Sequence, residues 1–430
     1  MKDIAAYAVE AMKKAGADKA SAKVTSGRKD EFNVEAGSFS LLRTLFDDEV
    51  SLRVIKDNRK GTMSINKLDK DSIDKAAAEV VALANSAAQD EAEDIAPLVE
   101  NKNFSRNIGG ADMGQLFTRS KELLEEVQSK YPKIALDMTT DFNGKKIAYV
   151  NSNGVEFNDE VEYYGVGTMF TAKDGEQSSS FNYYYSQLES LAKPFIELGM
   201  QRTLLEEAER SIKTRMVDSK FVGKIIVTPA CDDMIWQTIL ECFLGQSVMI
   251  SGTSRWKDAL GTLVADKKLS MSAAPLAADM VATERFTEDG FVSQNADFIR
   301  DGVLKSYALN LYGANKTGKP RTANSAFYNM DVAAGSTALA DMIKGVDKGI
   351  LLNRFSGASP GPSGDVSGVA KNSFLIENGQ ITDAVSETML SFNIADIIKD
   401  IPAISRERCA NGGSILPWCC FDGVTISGAS

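Results

Sequence analysis

Three stretches of this sequence combine residue types and spacings that chemistry can use. Between Cys231 and Leu244 the apolar residues Met234, Ile235, Ile239, Leu240 and Phe243 recur at helical spacing, predicting an amphipathic helix. Asp233, Gln237 and Glu241 fall at i, i+4 and i+8 and so share another face of it. Carboxylates paired in this way suit a hard cation or a proton transfer. The same pattern is also that of a solvated helix face. The second stretch, Gly313 to Lys319 (GANKTGK), comes close to a phosphate-binding P-loop. Pro320 stands where the magnesium-binding hydroxyl belongs, and no convincing amphipathic helix follows, so a polar loop after a strand is the plainer expectation. In the third, SGASPGPSGDVSG (356–368), the glycines would let a peptide or an anion approach backbone amides closely. It equally fits a long surface connection, too rich in Gly, Pro and Ser to be a regular element.

What is missing narrows the chemistry further. The chain contains no histidine, which excludes a Ser-His-Asp triad, a Cys-His pair, a histidine base and every zinc site with an imidazole ligand. The five cysteines show no CxxC pair, and Cys419-Cys420 are too close for a normal zinc clamp, so buried thiols in a reducing, cytoplasmic setting are expected. Among 430 residues, 48 Lys+Arg against 59 Asp+Glu give a formal charge of −11. That balance argues against general attraction to nucleic acid or anionic lipid. No stretch has the length of a membrane span, and the amino terminus lacks the apolar core of a signal peptide.

The elements that must position these residues follow from the changing periodicity. A helix is predicted over about 3–15, stopped by Gly16, and another over about 73–88, capped by Ser72. Between them lie short alternating strands separated by Gly, Asp and Asn turns. The succession repeats. A helix at about 113–130, burying Phe117 among others, precedes strands with hairpin turns at Asn143-Gly144 and Asn153-Gly154, and a long helix at about 199–216 follows. Residues 1–218 therefore read as an α+β domain of helices packed on antiparallel sheet, with a possible internal duplication. Residues 219–430 read as a β-rich, barrel-like domain with tight hairpins at Asp301-Gly302 and Asn378-Gly379.

Several of these stretches resemble the TldD/PmbA family, metallopeptidase-related proteins once described as modulators of DNA gyrase. The likeness lies in EVSLRVIKDNRKGTMSINKLD (49–69), AYVNSNGVEFND (148–159) and ADFIRDGVLKSYALNLYGANKTG (296–318). It continues through SGDVSGVAKNSFLIENGQITDAVSETMLSFNIADII (363–398) and NGGSILPWCCFDGVTISG (411–428), in matching order over nearly the whole chain. The resemblance implies two kinds of subunit. TldD-type chains hold zinc through an HExxxH helix and a later Cys-Gly, and cleave peptides. PmbA-type chains, also called TldE, lack the motif and pair with the first kind around a shared chamber.

In this sequence the matching helix is DDMIWQTILECFLG, with Gln237 and Thr238 at the His-Glu pair and Cys242 at the second His. The later Cys position falls near Gly412, three residues beyond Cys409. The resemblance thus implies a zinc-less PmbA/TldE-like subunit with no catalytic residue, metal or cofactor of its own. It would form part of a peptide-binding chamber for a TldD-like catalytic subunit, acting on unfolded peptides or on leaders of peptide precursors. Asp233, Glu241, Gly364, Gly368 and Gly413 are its candidate substrate-groove residues. Two other readings stand beside it: a homodimer that binds peptides without hydrolysis, and a divergent metallopeptidase using Asp233, Glu241 or Cys242.

Overall fold

A computed structural model of the chain describes residues 1–98, 101–357 and 360–428, apart from the side chains of Asp232 and Asp233. In the amino-terminal part, helix α1 (Lys2–Lys14) leads into strands β1 (Lys19–Glu35), β2 (Ser38–Lys56) and β3 (Arg59–Ile65) and helix α2 (Lys70–Ser86). Strand β4 (Lys102–Arg106) and helix α3 (Met113–Lys130) come next. They precede strands β5 (Ile134–Asn151), β6 (Glu156–Asp174), β7 (Gln177–Ser178) and β8 (Asn182–Leu188), and helix α4 (Gln201–Arg210). All eight strands belong to one sheet in which β3, β2, β1, β5 and β6 lie in that order. Strands β4 and β8 share the outer edge of β6. The meander β1-β2-β3 and the run β5-β6-β8 meet where β1 pairs antiparallel with β5, so helix, strands, helix occurs twice around one central pair.

Register decides what each face of this sheet does. Apart from the bulge at Asn33-Val34, the antiparallel pairings of β1 with β2, β1 with β5 and β5 with β6 join even-numbered residues to even and odd to odd: Ala22 with Leu52 and Val150, Phe142 with Tyr164. The even set is apolar and carries the helices. Ala20, Ala22, Val24, Leu52, Val54 and Val150 lie under α1 and α2. Leu136, Met138, Phe142, Tyr164 and Phe170 lie under α3 and α4. The odd set, with Lys23, Arg53, Lys145, Asp159 and Tyr163 among it, faces the carboxy-terminal part of the chain.

Several local expectations change. The strands are long, because Gly27 and the Asn143-Gly144 pair stay extended inside them; Asn143 and Gly144 are flanked by Lys29 and Arg28 on one side and by Tyr163 and Glu162 on the other. With ladders on both edges there is no room for a turn there, whereas Asn153-Gly154, with Gly154 at φ 91°, does turn the chain. Helix α2 is capped by Asp69, whose carboxylate accepts from the Ser72 amide (2.9 Å), so Ser72 lies inside the first turn. Phe117 is 40% exposed and lies against Phe32 and Phe39 at the rim. Helix α4 stops at Arg210 because Thr214–Arg215 leaves to pair with Ala384–Val385.

The carboxy-terminal part is β-rich. Its fourteen-stranded sheet branches at the strand Ile415–Ser427, which pairs in turn with Met330–Val332, Phe221–Val227, Thr388–Asn393 and Ala403–Ala410. The main path ends in the two-residue strands Val303–Leu304 and Thr214–Arg215, so the sheet stays open and no barrel closes among the described residues. Among the described residues, no helix is long and apolar enough to cross a membrane.

The two parts meet at a part-buried ionisable contact. Glu207 on α4 accepts a hydrogen bond from Asn353 Nδ2 (2.6 Å). Burial pushes its carboxyl up to about 7, with Glu206 adding to the rise and Asn353 and Arg210 opposing it. A carboxyl raised by folding stabilises the native state below its unfolded value, and that contribution is lost as pH climbs through the folded one. Between pH 4.5 and about 8 the wild type should therefore lose on the order of 1–3 kcal/mol that Glu207→Gln retains. Denaturation of both proteins across that range reads the difference.

Candidate functional site

The odd-numbered face of the amino-terminal sheet forms the floor of a groove roofed by carboxy-terminal loops. Its widest section, about 820 Å³, is lined by Lys23, Arg53, Lys145, Asp159, Tyr163 and Gln187 below, and by residues 282–289, 308–310, 324–329 and Gly413 above. It continues one way into a section of about 630 Å³ through Lys23, Arg53, Gln246, Glu288 and Asn310. The other way, past Gln187, Phe327, Tyr328, Asn329 and Gly413, lies a section of about 220 Å³. The roof is tied down by backbone bonds: Gln187 N–H to Asn411 carbonyl (2.8 Å) and Val281 N–H to Gly412 carbonyl (2.7 Å).

Charges in the floor fall into two states. One set is mutually satisfied. Glu31 and Asp141 are directly opposite each other on β1 and β5, and Lys29 Nζ bridges them at 2.9 and 3.1 Å. Burial opposes ionisation of Glu31, but Lys29, Asn33 and Arg43 together hold it below the usual carboxylate range. Gly165 makes this possible, since a Cβ there would stand 2.5 Å from Asp141 and 2.8 Å from the Tyr185 hydroxyl. The second set is unsatisfied. Asp159 is 5% exposed and its Oδ1 has no hydrogen-bond partner. Burial raises its carboxyl above the usual range, and the nearby Arg285 guanidinium only partly opposes this. Among the described residues Arg285 and Lys145 make no ion pair, though both line the widest section. An acceptor and donors left open in one cavity match a group offering both an N–H and a carbonyl.

The helix expected to carry the metal motif has two parts: α5 (Asp232–Ile239) and a wider π turn, Leu240–Leu244, before α6 (Gln246–Ile250). Gln237 reaches the groove, lining its small section with Gly413, while its amide nitrogen donates to the Phe327 carbonyl (3.5 Å). Thr238 is buried. Cys242 points elsewhere, donating to the Pro360 carbonyl (3.4 Å), and burial pushes its thiol up to about 11. Gly412 has φ 84°, and a Cβ there would stand 2.3 Å from the Gln187 carbonyl oxygen. A tetrahedral zinc site needs three converging anionic or imidazole donors. An amide, a hydroxyl, a protonated thiol aimed away and a glycine do not fit one. Among the described residues no three of Cys, Asp and Glu cluster as metal ligands.

The remaining candidates scatter. Glu241 is exposed on the π turn. Gly364 (φ 81°) packs against Phe243, and Gly368 sits in the strand Asp365–Lys371 against Phe355. The ends of the 356–368 segment are thus strand, not loop. The Asp233 side chain lies outside the described residues. The P-loop-like stretch forms helix α7 (Leu311–Thr317), capped by Asn310 and closed by Gly318 in the left-handed conformation; Gly313 packs on Gln246. It has neither the phosphate loop nor the expected polar loop, and Lys319 lies 3.7 Å from Asp258. Sequence reasoning missed Asp159 and Arg285, as well as the Lys29-Glu31-Asp141 set. For Asp159 and the Lys29-Glu31-Asp141 set the available signal was charge at every second position of strands already recognised by their apolar alternates; Arg285 lies in a loop and carried no such signal.

Comparisons with known proteins agree with this architecture. Residues 223–428 match the family model described as PmbA/TldA metallopeptidase C-terminal domain, and residues 20–84 match PmbA/TldA metallopeptidase domain 1. A Haemophilus influenzae protein named as a metalloprotease PmbA homolog is 22% identical over 100% of this chain and 96% of its own length. The metalloprotease PmbA of Escherichia coli O157:H7 is 26% identical over 37% of each chain. The crystal structure of TldE from Thermococcus kodakarensis is similar with a TM-score of 0.83 at 17% identity, covering 98% of this chain and 99% of that one. A Bacteroides thetaiotaomicron structure, provisionally assigned as a modulator of DNA gyrase, has a TM-score of 0.87 at 22% identity, covering 100% and 99%.

Proposed function

Because the chain belongs to the PmbA/TldD metallopeptidase family, we propose that it is a zinc-less PmbA/TldE-like subunit that holds peptides for a TldD-like catalytic chain. The observation that carries this reading is the groove itself: it runs through connected sections of about 630, 820 and 220 Å³ and holds an unsatisfied Asp159 Oδ1 beside Arg285, which makes no ion pair among the described residues. The helix beside it lacks a metal donor set. A peptide unit donating to Asp159 and accepting from Arg285 would be recognised through its main chain, so many sequences would be accepted. Unfolded peptides and leader segments of peptide precursors have that extended, unpaired backbone. The buried thiols suit a reducing cytoplasm, and the net charge of −11 provides no field to draw nucleic acid.

Co-purification from a native extract tests the partnership: an HExxxH-bearing chain should come down with this one, and peptidase activity should appear only in the mixture. A chain that ignores such a partner and does not alter its cleavage of peptides overturns the reading. The groove has its own test. Asp159→Asn and Arg285→Met should each weaken binding of an unstructured fluorescent peptide by about ten- to a hundredfold, as expected for losing a hydrogen bond to a charged group. Anisotropy titration measures this, and unchanged affinity in both variants would place the peptide elsewhere.

A further inference from the structure

The outer half of β2 is an open, greasy edge. Strand β3 pairs with β2 only from Val50 to Lys56, and no described strand covers Ser38–Glu49 on that side. Within this stretch Leu41, Leu42, Leu45 and Phe46 are 43%, 65%, 41% and 76% exposed. Natural sheets blunt such edges with short strands, prolines or inward charges, because unpaired amides and carbonyls beside apolar side chains recruit another strand. Leu41 and Leu45 lie on one face of the sheet and Leu42 and Phe46 on the other, so neither face at this tip is purely solvated.

We infer that this edge pairs antiparallel with the same edge of a second copy of this chain, about a two-fold axis through Thr44. A two-fold axis perpendicular to the sheet keeps each face continuous, so only residues of equal parity can oppose one another. With Thr44 on the axis, Leu42 opposes Phe46 of the second copy and Phe46 opposes its Leu42, giving two apolar cross-strand pairs on one face. On the other face Leu45 opposes Arg43 of the second copy and Leu41 opposes its Asp47, while Arg43 lies diagonal to that Asp47, within reach of a long side chain. Moving the axis one residue to Arg43 would set the two arginines opposite each other; moving it to Leu45 would oppose Leu42 to Asp48 and Phe46 to Thr44, which removes both Leu42–Phe46 pairs. The Thr44 register alone among these three combines both apolar pairs with opposite charges. Arg43 is already oriented by Glu31, which it meets at 2.5 Å, and remains half exposed.

This inference goes beyond the peptide-holding role and stands or falls separately. A catalytic partner that leaves the edge free would join such a dimer at a 2:2 stoichiometry. Light scattering of the purified full chain should give twice the monomer mass. Phe46→Lys, at an exposed position, should raise the dissociation constant by about tenfold or more with unchanged circular dichroism. Under mild oxidation Thr44→Cys should form a disulfide-linked dimer, because cross-strand neighbours on the axis approach within disulfide range. Asp48→Cys should not, since its two copies would stand about 26 Å apart. A monomeric wild type, equal cross-linking at both positions, or a 1:1 complex with an HExxxH chain through this edge would each overturn the self-pairing; the last would leave the peptide-holding function intact.

Discussion

Purified alone and supplied with excess Zn²⁺, this chain is expected to leave an unstructured peptide uncut, at the rate of the protein-free blank. Enzymes of ordinary efficiency exceed the uncatalysed rate by about 10⁶-fold or more, so the contrast with an active subunit is large. The reason is the donor set. A zinc-bound water reaches a useful pKa only when several protein ligands fix the ion in an open tetrahedral site. Here Gln237 supplies an amide, Thr238 a buried hydroxyl, and Cys242 a thiol pushed up to about 11 and hydrogen-bonded away from the groove. Installing the motif with Q237H/T238E/C242H should not restore hydrolysis, because two imidazoles and a carboxylate base still lack the third protein ligand, for which Gly412 has no space against Gln187. Fluorogenic peptide assays with and without a chelator, beside elemental analysis, check both statements. Stoichiometric zinc in the pure wild type together with chelator-sensitive cleavage would sink the proposal.

Gly412→Ala should then be among the most damaging small substitutions in the molecule. At φ 84° an alanine pays the left-handed penalty of about 1–2 kcal/mol, and its Cβ would lie 2.3 Å from the Gln187 backbone oxygen. Forced repacking adds roughly 1–3 kcal/mol, so a loss of about 2–5 kcal/mol is expected. The damage falls on the Gln187–Asn411 bond that fastens the groove's roof to its floor and on the Val281–Gly412 bond within the roof. Peptide affinity should fall together with the melting temperature. The neighbouring Gly413→Ala provides the contrast: a Cβ there meets nothing closer than Asn411 Oδ1 at 3.5 Å, so stability should change by less than about 0.5 kcal/mol. Equal melting temperatures for the two variants would contradict this account of the turn.

The two glycines also show where sequence reading stops. NGGS reads as a turn from its composition, but which glycine tolerates a side chain depends on Gln187, more than two hundred residues earlier. Asn143-Gly144 has the composition of a hairpin turn and is nevertheless extended, because β1 and β6 supply ladders on both sides of β5. GANKTGK has nearly the residues of a phosphate loop and is a helix, since Asn310 caps it and Gly318 closes it. In each case a distant neighbour or a terminal cap outweighed a local preference.

The sequence by itself determined the helices α1 and α3, the alternating strands, the absence of imidazole chemistry and the family blocks. Those follow from period and residue type, which are local properties of a chain. Only the tertiary structure decided that the odd-numbered residues of five strands share one face, that this face is roofed into a groove, and that Asp159 is left unsatisfied there with Arg285 nearby. Charge at alternate strand positions means exposure in isolation. It becomes a binding surface only when register aligns the strands and the carboxy-terminal loops close over them, limiting the water that would otherwise satisfy each group.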